Sequence, residues 1–326
     1  MYAAIAAGDF APAVNGVPER VYVPDSTGSY VTIIDPKTLR VVGRIKTASH
    51  ELQHIAPSWD LKRLYVENSD INKLTVIDPR TSKVVKTIGG VTDPYNVYFT
   101  LDGSKAIVVA EEKRRLDFRD PVTWKLIKSV SVPYAGVDHM DFTADGRYAL
   151  ASTEYAGVLV KVDTVAMAVV AKLDVGGLPI DVRLSPDGSV FYVANQGRHG
   201  VSIVDPVAMK EIKFLRTGTG AHGLVVSRDA RKMYVTNRRA GSISVIDLAK
   251  RKVVGTWHVG GAVDMEQVSP DGRQLWVSDR YNGGVLVIDT ATGQLKARLI
   301  IGGSPHGLCY FPQPGRFSLG HNGVYR

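Results

Sequence analysis

Four of the eight histidines in this chain, His54, His139, His222 and His306, are separated by 85, 83 and 84 residues. Imidazole binds Zn, Cu or Fe well, and an all-histidine set favours those ions over Mg or Ca. Carboxylates cluster beside them: Asp138 with Asp141, Asp181, and Asp264 with Glu266. Oxygen ligands of this kind suit Ca, and a mixed His/Asp site could activate water for hydrolysis, with Asp138, Asp264 or Glu266 as base or supporting acid. Glu266 occupies a place where the neighbouring segments carry Ile55, Val97, Met140, Val182, Leu224 and Leu308. A carboxylate there needs a partner, for which Arg183 is the candidate, and burial without one would raise its pKa.

The histidine interval is twice a shorter one. Asp35, Asp78, Asp120, Asp163, Asp205, Asp247 and Asp289 follow one another at gaps of 43, 42, 43, 42, 42 and 42 residues, most of them ending a short apolar run such as Val285-Leu-Val-Ile. Self-similarity at about 40 to 45 residues with strand-like content predicts β-propeller blades. In the copy from Gly176 to Leu215, four strands alternate with turns, including Ser185-Pro-Asp-Gly188, whose proline, aspartate and glycine each suit a tight turn. The Asx residues after each second strand (Asp25, Asn68, Asn195, Asn237, Asp279) are expected to close turns. The chain begins with a second strand, Arg20–Val23, and ends with a lone first strand, His306–Phe311. Their pairing would complete a seventh four-stranded antiparallel blade and close the ring, which removes exposed sheet edges. The expectation is an all-β, seven-bladed propeller as a single domain over 1–326, with an extension over 1–17 and a tail over 312–326 packing on one face.

Innermost strands of a propeller begin at the mouth of the central channel. Five residues before the turn Ser/Thr of each copy stand Gln53, Tyr95, Asp138, Ile180, His222, Asp264 and, by analogy, His306. One residue later stand His54, Asn96, His139, Asp181, Gly223, Met265 and Gly307. The four histidines therefore fall in two rows, which a period of two turns to opposite sides of their strands.

The segments Leu64-Tyr-Val-Glu-Asn68, Phe191-Tyr-Val-Ala-Asn195, Met233-Tyr-Val-Thr-Asn237 and Leu275-Trp-Val-Ser-Asp279, with Ser-Pro-Asp-Gly and Gly-Gly-x-Pro, resemble the YVTN-repeat family of bacterial and archaeal β-propellers over nearly the whole chain. Ala106–Ala110 and Tyr148–Ser152 depart from that pattern. The resemblance implies the propeller fold, is compatible with an extracytoplasmic place, and is distantly similar to the d1-haem-type propellers of nitrite reductase and its assembly factors. In such repeats the histidines of Ala-His-Gly-Leu and Pro-His-Gly-Leu simply hydrogen-bond a loop, a structural alternative to metal binding. A four-histidine set also resembles the iron centre of carotenoid oxygenases, and the acids resemble calcium-dependent propeller lactonases by fold alone.

The remaining features exclude more than they assign. The formal charge of +8 comes from scattered clusters such as Lys113-Arg-Arg115 and Lys250-Arg-Lys252, which read as solvated loop charge rather than a nucleic-acid face. No run approaches a membrane span, the N-terminus lacks the basic and apolar regions of a signal peptide, and the single Cys309 excludes an internal disulfide. Serine-elbow, phosphate-loop and His-Glu-x-x-His motifs are missing. The expectation is a monomeric binding or scaffolding propeller with a pocket for an ion, small molecule or peptide at the channel mouth. The alternative is a metal-dependent hydrolase, lactonase or oxidoreductase at that mouth, or a tetrapyrrole binder.

Overall fold

The computed structural model describes residues 2–326. Among the described residues, twenty-eight strands form seven four-stranded sheets. Six blades take four consecutive strands each, over 52–89, 94–131, 137–174, 179–216, 221–258 and 263–300. The remaining blade joins β1 (Arg20–Pro24), β2 (Tyr30–Asp35) and β3 (Arg40–Lys46) to the last strand, β28 (Cys309–Phe311), which pairs antiparallel with β1 and closes the ring. We number this blade 1 and the others 2 to 7. The expected seven-bladed architecture and its closure are thus observed. The last inner strand is shorter than expected, because His306 to Leu308 lie before it. Among the described residues, no helix is long and apolar enough to cross a membrane.

The repeating aspartates hold the blades' outer turns. Asp35 accepts the N–H groups of Lys37 and Thr38, and Asp163, Asp205 and Asp289 repeat the arrangement two and three residues on. A carboxylate spanning two turn amides is the physical reason for the letter. Four residues after each aspartate the backbone enters the left-handed region: φ is 56° at Leu39, 54° at Ser82, 61° at Trp124, 50° at Met167, 48° at Met209, 49° at Arg251 and 74° at Gly293. Only the seventh copy uses glycine there, so six blades hold a side chain in a conformation that glycine adopts without a Cβ clash.

The inner strands carry the decisive irregularity. In β4 (Leu52–Pro57) the register passes from Leu52↔Asn68 to Ile55↔Val66, so Gln53 and His54 together oppose one residue, Glu67. The same two-against-one bulge sets Asp138-His139 in β12 (Val137–Phe142), Ile180-Asp181 in β16 (Pro179–Leu184), His222-Gly223 in β20 (Ala221–Val226) and Asp264-Met265 in β24 (Val263–Val268). A bulge re-aims the side chains it carries. Here it sets Gln53, Asp138 and His222 at the mouth and buries His54, His139 and Asp181.

Candidate functional site

The two rows of the sequence become two layers. Gln53, Tyr95, Asp138, His222 and His306 line an open funnel of about 650 Å³ at the channel mouth. The next residues along, His54, His139 and Asp181, are fully buried beneath it. Ligand-type atoms accordingly gather in two groups, His222–Asp264–His306 and His139–Asp181–His321, each within 4.8 Å of one another. The four sequence-selected histidines therefore do not share one point. His54 stands between the groups, its ring 4.4 Å from that of His306 and 5.2 Å from that of His139.

In the mouth group, Nδ1 of His306 donates to Oε1 of Gln53 at 2.9 Å. That fixes the tautomer in which Nε2 is a free lone pair, and Nε2 lies 3.8 Å from Oδ2 of Asp264 with no hydrogen-bond partner of its own. Nδ1 of His222 is 3.2 Å from Oδ1 of Asp264. Arg238 covers the other side, donating to Nε2 of His222 and to Oδ1 of Asp264, while Arg280 lies 3.6 Å from Oδ2. Burial holds His222 and His306 well below the ordinary imidazole pKa, with the two guanidiniums adding to the effect. Both rings are neutral and fit to bind a cation, although Arg238 competes for the same donors.

The mouth is polarised by residues that sequence reading missed. The position just beyond the second strand reads Ser69, Glu111, Glu154, Gln196, Arg238 and Arg280 in blades 2 to 7, with Ser26 the counterpart in blade 1. Two acids from neighbouring blades 3 and 4 thus face two arginines from neighbouring blades 6 and 7. Glu111 is pushed up to about 7 by burial and by the nearby carboxylates of Glu154 and Asp93. Asp138, with both oxygens unpartnered, is raised well above the usual range by burial, Glu154 and Glu111. The signal was available one residue beyond the Asx positions already noted, at the blade-to-blade change of charge.

The other candidates find different partners. Arg183 gives its guanidinium to Asp181 at 3.1 Å on its own strand rather than to Glu266, because the two alternate residues share the channel side of β16. Glu266 is buried with both oxygens unpartnered and lies against Gly223, where a Cβ would meet it, and burial raises its pKa well above the usual carboxylate range. Asp141 is engaged by Arg326 at 2.6 and 2.7 Å, away from Asp138. Burial lowers the pKa of His54 to about 3.

A family model described as a YNCE-like beta-propeller matches residues 4–314. No curated protein matches the chain significantly in sequence. Among solved structures it is similar to a Kuenenia stuttgartiensis hydrazine synthase (TM-score 0.69, 18% identity, 81% of this chain and 90% of that one). It is also similar to the dihydro-heme d1 dehydrogenase NirN in complex with DHE (0.69, 18%, 93% and 76%). A putative 6-phosphogluconolactonase from Bacteroides fragilis gives 0.73 at 17% identity, over 92% of this chain and 100% of that one. Identities this low speak for the fold alone.

Proposed function

We propose that this chain, which belongs to the YNCE-like β-propeller family, binds a transition metal through His222, Asp264 and His306 and uses it on a small polar molecule held in the funnel. The observation that carries this reading is the convergence of three buried donors at an open mouth, with Nε2 of His306 oriented by Gln53 and left free. Two nitrogens and one oxygen suit Zn, Cu or Fe. A site with three protein ligands facing a cavity leaves a position for water or substrate, the arrangement that hydrolytic and oxidative metal chemistry needs.

The walls favour a particular substrate shape. Arg238 and Arg280 suit a carboxylate or phosphate, and Glu111 and Glu154 across the mouth suit an amine or a hydroxyl donor. Charged walls of this kind favour a hydrophilic ligand over a flat apolar macrocycle.

Elemental analysis of protein prepared without added metal, followed by Zn, Cu and Fe titration, tests the reading. The expected result is a bound ion at the mouth that is lost in His222→Ala and His306→Ala while the circular dichroism of the sheet is kept. Metal content unchanged in both variants would overturn it and return the mouth to a purely organic ligand.

A further inference from the structure

The segment 312–326 does more than pack on a face. Residues 318–325 form a tight hairpin: Leu319 N–H donates to Val324 O at 2.7 Å and Val324 N–H to Gly320 O at 2.9 Å. Its edge joins the inner strand β8 (Pro94–Phe99), where Phe99 N–H donates to Leu319 O at 2.9 Å and His321 N–H to Val97 O at 3.0 Å. The hairpin tip, His321-Asn322, has φ of 34° and 48° and is buried in the channel below the funnel. Asn322 contacts Nδ1 of His54 at 2.9 Å.

At that depth three side chains, His139, His321 and Asp138, have polar atoms without partners. Nε2 of His139 and Nε2 of His321 make no hydrogen bond, and their rings lie 4.4 Å apart. Asp138 Oδ1, also unpartnered, is 3.4 Å from Nε2 of His139, and Asp181 Oδ1, already held by Arg183 and the Val182 N–H, is 3.9 Å from Nε2 of His321. Four of these residues are at most 1% exposed. Buried polar atoms left unpaired are destabilising, so two free ring nitrogens that converge with an oxygen of Asp181 within 4.8 Å, beside the unpartnered Asp138, call for an occupant.

One side chain orients both rings. Asn96 presents its amide to Nδ1 of His139 at 3.1 Å and to Nδ1 of His321 at 2.6 Å. With Nδ2 donating, both rings would carry their proton on Nε2. Turned end for end, at the expense of the Val97 contact, the same amide offers Oδ1 to both Nδ1–H groups and frees both Nε2 lone pairs. Outer partners of this kind set the tautomer of metal-bound histidine.

We infer that His139, Asp181 and His321, with Asp138 as fourth donor, form a second metal site, enclosed and structural, which pins the hairpin into the channel. Two nitrogens and two carboxylate oxygens suit Zn in a closed four-coordinate site. The ion would link blades 4 and 5 to the hairpin itself, beside the Arg326–Asp141 pair that holds the end of the segment to blade 4. It differs from the mouth site in ligands, in depth and in lacking an open position.

Zinc and cobalt titrations of the full chain test this, with Asp264→Asn marking the mouth site. Wild type is expected to take two equivalents, Asp264→Asn one, and His321→Ala one. Co²⁺ in Asp264→Asn should give the visible band of a tetrahedral site. Asn96→Asp, whose carboxylate can only accept, should tighten that equivalent by about tenfold. Zinc should also slow tryptic cleavage after Arg316, which is exposed, in Asp264→Asn but not in His321→Ala. A single equivalent in wild type that Asp264→Asn removes, or no tetrahedral Co²⁺ band in the folded Asp264→Asn protein, would overturn the enclosed site alone. Loss of the mouth equivalent from wild type, with the Co²⁺ band kept, would instead count only against the proposed function.

Discussion

His306 donates from Nδ1 to Oε1 of Gln53 at 2.9 Å, although 253 residues separate them. The bond spans blades 1 and 2 and so depends on the closed ring. It also decides which nitrogen of His306 faces Asp264. Gln53→Ala should therefore weaken metal binding at the mouth by about 10–100-fold without altering the fold. Isothermal titration with zinc checks this, and an unchanged Kd would remove Gln53 from the orienting role.

Arg238 holds the same donors that a cation needs. Its guanidinium bonds to His222 and Asp264 at once, so it opposes an incoming ion by charge and by occupancy. Replacing it in Arg238→Gln should lower the Kd for zinc by about tenfold, or ~1.4 kcal/mol. The same variant should weaken binding of anionic ligands in the funnel. Opposite movement of the two affinities is the diagnostic result.

Glu67 faces the bulge of β4 fully buried, with neither oxygen hydrogen-bonded, and burial raises its pKa well above 4.5. A folded-state pKa above the unfolded one gives a stability contribution that is present below 4.5 and declines as pH rises toward the folded value. Glu67→Gln removes that decline. Chemical denaturation should find the variant and wild type similar near pH 4 and the variant more stable at pH 7, by roughly 1.4 kcal/mol for each pH unit between the unfolded pKa and the lower of pH 7 and the folded pKa. Equal stabilities at both pH values would contradict it.

Arg251 sits at φ 49° in the turn after Asp247, where the seventh blade has Gly293. Relief of the left-handed strain in Arg251→Gly should raise stability by about 1 kcal/mol, less the entropy glycine adds to the unfolded chain. Thermal melting reports the sign.

Gly307 lies where a Cβ would come within 2.6 Å of Asn322 Oδ1 and 2.9 Å of Gln53 O and His54 Nδ1. Gly307→Ala should displace the hairpin tip and cost about 1–3 kcal/mol by overpacking. Hydrogen exchange should rise in residues 318–325 before it rises in the blades. Uniform loss of protection would argue against a local effect.

The repeat made the fold legible, because a constant interval of turn aspartates leaves few architectures open. It also separated His54 and His139 from His222 and His306 by one register step, which the bulges turn into depth rather than opposite faces. His321 stayed hidden because it lies outside the repeat and reaches the channel only through tertiary packing of the hairpin. Glu111, Glu154, Arg238 and Arg280 were readable in principle, since they share one repeat position. Their meaning depends on which blades stand opposite each other, and that requires the closed ring. The partner of Arg183 followed from strand alternation within β16, a local rule, whereas a pairing with Glu266 would have required contact between blades.

A propeller channel open at both ends is a tube, but the hairpin at residues 318–325 stoppers one end and leaves a cup. Whatever reaches the floor arrives and departs through the same rim. Incoming and outgoing molecules must therefore take turns, and a slow leaver becomes an inhibitor simply by standing in the doorway.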